Sequence, residues 1–467
     1  MEPFIKPSDV TFLLRVAANY LSDLDRFKYL SLERIKKYRD KKFRELVKYA
    51  YTIPLYREKF KELGVTPGDV SGVKDIVKLP VISRDDVINS FPDGIITPAE
   101  KKKSALVNTS GSSRNPVQLY VDQFMLIKAL HAYVRELRQY NIKWIKDRVT
   151  IIANFYSQTG PTQLFASGAS PTLKPVQMIF PLNNIQQINS DDDLVDIAKK
   201  VDSFKPDCIV GFPGPLRHLA LLYNKGYCQN LHPKCIVSTG GVIDKYQKKL
   251  ISETFNIRVY DIFGSTEMGP IAFECEEGNF HINSDFVYLE TINNNGETIE
   301  KGKPGILAIT RLYGRGTPLI RYTGMEDIIM LKDGTCSCGR NTEIMNAVPG
   351  RIKECIVLPD NRILYARNFL DTVGFVMQKM KTDKIHMIQL VQEKLDKIEL
   401  RVIIDEAKRD LPPKTDEFLD ELKKEFQKLL GSKVDVSVKD TKKFKHEPDR
   451  PDSTPGILSN IDVCKYL

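Results

Sequence analysis

The chain has 467 residues, 42% hydrophobic and 28% charged, a balance that fits a folded globular protein and excludes wholesale disorder. Its 69 basic and 60 acidic residues are interleaved and leave +9, which permits a polyanion partner without arguing for one, so no nucleic acid is expected. No apolar run reaches the ~18 residues of a membrane span, the start lacks a basic-then-apolar leader, and eight cysteines are too few for a disulfide scaffold, so a cytoplasmic protein is expected.

Residues 9–63 read as helical, with Phe43, Leu46, Val47 and Tyr51 at helical spacing and Pro54 closing the run. From residue 104 short β-branched runs take over, at 104–108, 117–121, 149–154, 176–180, 208–211, 235–238 and 258–261. Helical patterns lie between them at 123–138, 191–204, 213–225 and 244–255. This alternation predicts an α/β core with a largely parallel sheet. Residues 271–331 read as mostly strand, with turns at Asn295-Gly296 and, just after, Asp333-Gly334. After Gly350 a small α+β unit follows. Its last helix is expected to take Thr415 as N-cap, to stop at Gly431 and to face its core with Phe418, Leu419, Leu422, Phe426 and Leu429. Pro349-Gly350 is the expected junction between units of residues 1–349 and 350–467.

Four places carry chemistry. Thr109, Ser110, Gly111, Ser112 and Ser113 form a turn between strands. It reads either as a polar hairpin or as a wrap of backbone N–H and Oγ donors for phosphate oxygens. It is no Walker loop, since Gly-Lys-Ser/Thr is missing. Gly240 and Gly241 follow a strand, where missing side chains let a flat ligand approach the backbone. Some twenty residues on, Asp261, Phe263, Gly264, Thr266 and Glu267 combine an aromatic for stacking, a hydroxyl for phosphate and a carboxylate for magnesium. Glu326 and Asp327 end a turn where a carboxylate either binds ribose hydroxyls or caps the turn. Finally, Cys275 with His281 and Cys336 with Cys338 suit a tetrahedral zinc site that pins the ends of segment 271–340. The other cysteines, Cys208, Cys228, Cys235, Cys355 and Cys464, read as small apolar residues.

The order of these motifs resembles that of the adenylate-forming enzymes, and within them the phenylacetate–CoA ligase-like branch with its capsule-biosynthesis relatives. Tyr49 through Phe60, Leu79 through Asp86, His281-Ile-Asn and Cys336-Ser-Cys-Gly-Arg340 look like that branch, over about residues 40–352. The resemblance implies a large N-terminal AMP-binding domain with layered sheets and helices, and a small mobile α+β tail. It implies that ATP and a small-molecule carboxylate give an acyl-adenylate, whose acyl group passes to CoA. An acceptor other than CoA, such as a carrier, and a catalytically silent zinc-stabilised binding protein are the alternatives.

By matched positions, Thr109, Ser110, Gly111, Ser112 and Ser113 would grip pyrophosphate, and Gly240 and Gly241 would line the adenine slot. Phe263, beside Gly264, would stack on adenine, and Asp261 would accept from its amino group. Thr266 would contact the α-phosphate, Glu267 would hold Mg2+, Asp327 (or Glu326) would bind ribose, and Arg351 would sit at the hinge. The chain departs from the pattern at three points. Arg114-Asn115-Pro116 replaces Gly-Lys-Pro, Val242 replaces a glutamate, and the tail's catalytic lysine has only Lys443, Lys445 and Lys465 as candidates.

Overall fold

A computed structural model describes residues 27–109, 116–155, 183–446 and 456–467. The expected strand at 176–180, the helical start before residue 27 and Ser110, Gly111, Ser112 and Ser113 lie outside the described residues. The N-terminal helices are α1 (Leu32–Ala50), α2 (Pro54–Glu62) and α3 (Arg84–Ser90). Phe43, Leu46 and Val47 of α1 are buried as expected. Pro54, read as closing this run, instead opens α2: its missing N–H costs nothing in a first helical turn. Ser83 and Asp86 form a capping box at α3, donating to and accepting from each other's ends.

β1 (Ser104–Asn108) and β2 (Gln118–Asp122) form an antiparallel hairpin, followed by α4 (Gln123–Gln139). Asp122 caps α4, its Oδ1 accepting from Met125 N at 2.9 Å. The alternating core then runs β3 (Val149–Ala153), β4 (Ile185–Asn189), α5 (Leu194–Phe204), β5 (Cys208–Gly211), α6 (Pro213–Asn224), β6 (Cys235–Thr239), α7 (Lys245–Phe255) and β7 (Val259–Ser265). Next come β8 (Gly269–Glu274), β9 (Phe280–Ile282), β10 (Val287–Ile292), β11 (Gly305–Arg311), β12 (Asp327–Ile329), β13 (Leu331–Lys332), β14 (Ile344–Met345) and β15 (Gly350–Arg351).

Among the described residues, nine strands make one sheet in the order β13-β14-β9-β8-β7-β6-β5-β3-β4. The β4-to-β7 part is parallel, as expected of β-strands joined through helices. The β8-to-β13 part is antiparallel, so the sheet is mixed rather than largely parallel. A second sheet, β10-β11-β12-β15, carries the junction residues Gly350 and Arg351 as its last strand. The main core gathers α1 and α2 side chains with those of β2, α4 and the second sheet. Buried Arg135 of α4 locks onto Asp285 through two hydrogen bonds, of 2.9 and 3.1 Å, and onto Asn283 at 2.5 Å.

The tail contains β16 (Cys355–Val357), β17 (Ile363–Tyr365), α8 (Ala366–Lys379), β18 (Ile385–Lys394), β19 (Lys397–Ile404), α9 (Thr415–Leu430), β20 (Asp435–Asp440) and β21 (Ile457–Ser459). Its main sheet runs β20-β19-β18-β21, with α8 and α9 packed on it around a core drawn from residues 356–457 alone. Phe418, Leu422 and Phe426 are buried as expected, while Leu419 and Leu429 are partly buried and Leu430 takes a core place. Thr415 is not the N-cap: Lys414 holds that position, and Thr415 Oγ1 donates to Arg409 O at 2.8 Å instead. α9 does stop at Gly431, whose φ of 89° is a conformation glycine adopts without strain.

Candidate active site

β6 and β7 lie side by side in parallel register, pairing Ser238 with Asp261 and Thr239 with Ile262. Their C-terminal ends open on one edge of the sheet, where α/β sheets hold ligands. Beyond β6 the chain turns at Gly240, whose φ is 74°. A side chain is excluded there twice over, because a Cβ would stand 2.4 Å from Cε1 of Phe212. Gly240 and Gly241 are both exposed, so the turn offers bare backbone to solvent. Phe212, which precedes α6, floors this turn.

Asp261 is buried on β7, and burial pushes its carboxyl up to about 7; Lys248 and Arg367 oppose that rise. Phe263 and Gly264 continue the strand. The tight approach of Gly264 to Gly269 O, where a Cβ would come within 2.9 Å, narrows the β7–β8 hairpin. Thr266 and Glu267 form its tip. The Glu267 backbone oxygen accepts from buried Arg311, and Met268 O accepts from the Tyr313 hydroxyl at 2.9 Å. The Glu267 carboxyl is itself buried and raised above its ordinary value by burial, with Arg84 and Arg351 as the opposing cations.

Asp327 and Arg351 are paired residues of β12 and β15, with Nε to Oδ1 at 3.9 Å. Burial pushes Asp327 up to about 7; Arg351 pulls it down, and Glu354, Glu267 and Glu326 push further. Glu267, Asp327 and Arg351 therefore share one charge cluster. Glu326, whose φ is 58°, adjoins this cluster and lines a cavity of about 340 Å³ with Arg84, Thr323, Gly324, Ile352 and Cys464. Thr109 stands at the neck of the β1–β2 hairpin, where its Oγ1 accepts from Val117 N at 2.9 Å.

The four Cys/His residues come together. The ligand atoms of Cys275, His281, Cys336 and Cys338 all lie within 4.8 Å of one another. Cys275 Sγ and Cys336 Sγ are 3.7 Å apart. Metal–sulfur bonds of about 2.3 Å around a tetrahedron give nearly this edge. Cys338 Sγ meets His281 Nε2 at 3.1 Å, while His281 Nδ1 is held by Thr342 Oγ1 at 3.1 Å. Asn279 Nδ2 donates to Cys336 Sγ at 3.2 Å and is anchored by Lys332 at 2.8 Å. Thr342 and Asn279 orient the donors, a supporting shell that no sequence spacing announces. Cys208 and Cys235, read as unpaired apolar residues, are buried neighbours on β5 and β6 with sulfurs 3.6 Å apart.

Comparison with known proteins follows the same lines. No family model matches the chain. It is 23% identical to the phenylacetate–coenzyme A ligase of Pseudomonas putida over 434 residues, covering 88% of this chain and 92% of that one. To the enzyme of that name from Escherichia coli K12 it is 24% identical over 356 residues, 72% of this chain and 75% of the other. In structure it is similar to a 2-hydroxyisobutyryl-CoA ligase in its postadenylation state, with a TM-score of 0.72, 18% identity and coverage of 94% and 92%. The same ligase in complex with 2-HIB-AMP and CoA superposes with a TM-score of 0.59, 18% identity and coverage of 94% and 92%.

Proposed function

We propose that this chain, phenylacetate–coenzyme A ligase-like in sequence and an adenylate-forming ligase in fold, activates a carboxylate with ATP and transfers the acyl group to CoA. The observation that carries this reading is the charge cluster of the buried carboxylates Glu267 and Asp327 with Arg351. A carboxylate oxygen is a poor leaving group. Attack of that oxygen on the α-phosphorus expels pyrophosphate and creates a mixed anhydride. The CoA thiolate then bonds to the acyl carbon, and AMP departs. The protein's share is alignment and charge compensation.

In this reading Gly240, Gly241, Phe263 and Gly264 form the adenine slot, with Asp261 accepting from the amino group. Thr266 and the 109–113 turn hold phosphate oxygens. Asp327 holds the ribose, standing beside Arg351 and Glu267, with the adjoining Glu326 as the alternative. Glu267 suits Mg2+, a hard cation that pairs one carboxylate with substrate phosphates. Its buried carboxyl, raised by desolvation, gains from a cation. The cation would neutralise phosphate charge.

The Cys3His cluster fits zinc by donor type and by its 3.7 Å sulfur–sulfur edge. Zinc there is structural, tying the end of β8 to the 336–338 turn. The second reading, with an acceptor other than CoA, rests on the tail lysine having only Lys443, Lys445 and Lys465 as candidates, of which Lys445 pairs with Glu393 at 3.0 Å.

The test is carboxylate-dependent ATP–pyrophosphate exchange with pooled aryl, fatty, amino and sugar acids, with and without CoA. Exchange with one pool is expected and names the substrate class, and acyl-CoA formation with that acid separates the two acceptor readings. Absence of exchange with every pool, together with no thermal stabilisation by ATP and Mg2+, would overturn the adenylation reading.

A further inference from the structure

A helix start leaves its first N–H groups without intrahelical partners. At α7, Asp244 Oδ1 accepts from Tyr246 N at 2.9 Å and Gln247 N at 2.8 Å. The N–H of Lys245 is left over, and its acceptor comes from the tail: Asp371 Oδ1 of α8, at 3.0 Å. One turn earlier on α8, Arg367 Nη1 donates to Ile243 O at 2.8 Å. The same guanidinium also reaches Val348 O, at 3.3 and 3.4 Å. One turn later, Gly374 lets the two helices touch. A Cβ on it would stand 2.9 Å from Tyr246 Cβ and 3.1 Å from Asp244 Oδ1. Phe375 then packs on Tyr246 with ring centroids 5.9 Å apart.

Positions 367, 371 and 374 recur at the spacing that puts side chains on one helix face. All three engage residues 243–246, immediately after the Gly240-Gly241 turn. We propose that this face of α8 is a latch: the tail completes the N-terminal cap of α7 and so fixes the turn that receives the nucleotide. Arg367, Asp371 and Gly374 are positioning residues for the reaction, acting through Ile243, Lys245 and Tyr246. The nucleotide part of this inference rests on the function proposed above; the docking part does not.

The experiment uses the full-length protein. Hydrogen exchange is followed at the amides of residues 243–249, alongside the radius of gyration by small-angle scattering. Asp371→Ala is expected to speed exchange at Lys245 by about tenfold, the loss of one hydrogen bond to a charged acceptor. Asp371→Asn keeps an acceptor oxygen and is expected to restore most of the protection. Gly374→Val is expected to expose the whole start of α7 and to enlarge the radius of gyration. Protection of β18 and β19 should not change, which shows that the tail itself stays folded. Each variant that undocks should weaken ATP-induced thermal stabilisation, and Asp371→Asn should not. Unchanged exchange at Lys245 in both Asp371→Ala and Gly374→Val would overturn the latch. Undocking in the variants with no ATP effect in any protein, the parent included, would uphold the latch and strike the adenylation reading instead.

Discussion

Glu267 sits at the tip of a hairpin whose backbone is held by Arg311 and Tyr313, so its carboxylate can be neutralised without disturbing its position. Glu267→Gln is expected to lower ATP–pyrophosphate exchange by about a hundredfold or more while the melting temperature holds, as measured by exchange and thermal unfolding. Asp261 and Asp327 have a different signature. Burial pushes both up to about 7, so the folded unliganded chain keeps protons that the unfolded chain releases near pH 4. Stability from these two groups is greatest below the unfolded value, falls as pH rises towards 7 and is level above it. A ligand that donates hydrogen bonds to them needs the ionised form. ATP binding should therefore strengthen as pH rises through about 7, and Asp327→Asn should flatten that dependence in a titration followed by ATP-induced thermal shift. The motif residues could be singled out in the sequence because the chemistry expected of them restricts their type: glycine where backbone is to be bared, carboxylate where a cation or hydroxyl is to be held. Arg311 and Tyr313 could not, because each acts through a backbone oxygen of the β7–β8 hairpin and any sequence context would suit them.

At the scale of elements, the alternating core was read almost residue by residue, since β5, α6, β6 and α7 each have strong apolar periodicity and a clear breaker. β4 escaped because Gln186, Gln187 and Asn189 make it polar, which an edge strand tolerates. β21 escaped because three residues are too few for a period to register. The antiparallel half of the sheet was seen as strands but not as an extension of the parallel half: strand pairing is a long-range choice that local pattern does not encode. The β6–α7 turn makes a sharp prediction. Gly240→Ala adds a Cβ 2.4 Å from Phe212 at a φ of 74°. Both effects act at the exposed turn rather than in the core, so, on the proposed function, nucleotide-induced stabilisation should be lost in calorimetry while the tail's transition stays put. Deep in the tail, Phe426→Ala should instead cost ~3–5 kcal/mol of tail stability in denaturant unfolding, as a buried aromatic leaves a cavity.

Across the whole molecule, the cluster of Cys275, His281, Cys336 and Cys338 joins two distant pieces of chain at the end of β8, the strand paired with β7. Protein purified without added metal should contain about one zinc per chain by elemental analysis. Stripping zinc with a chelator should lower the melting temperature and blunt the ATP effect, because Phe263 lies opposite Ala272 on β8, the strand whose end the Cys/His cluster ties down. The order of strands in the large sheet has a further consequence, for assembly. β3 comes first in the chain; β4 joins one of its edges, and β5, β6, β7, β8 and β9 are added in turn at the other, before the β13–β14 hairpin docks through β14. Among the described residues, no strand has to be threaded between two already paired. The sheet can therefore grow outward as the polypeptide leaves the ribosome, each step closing a short loop. A nascent chain halted before Cys336 already carries, among the described residues, every parallel strand of the large sheet and two of the four thiol and imidazole donors, so the Cys/His cluster is completed as the sheet closes rather than at its start.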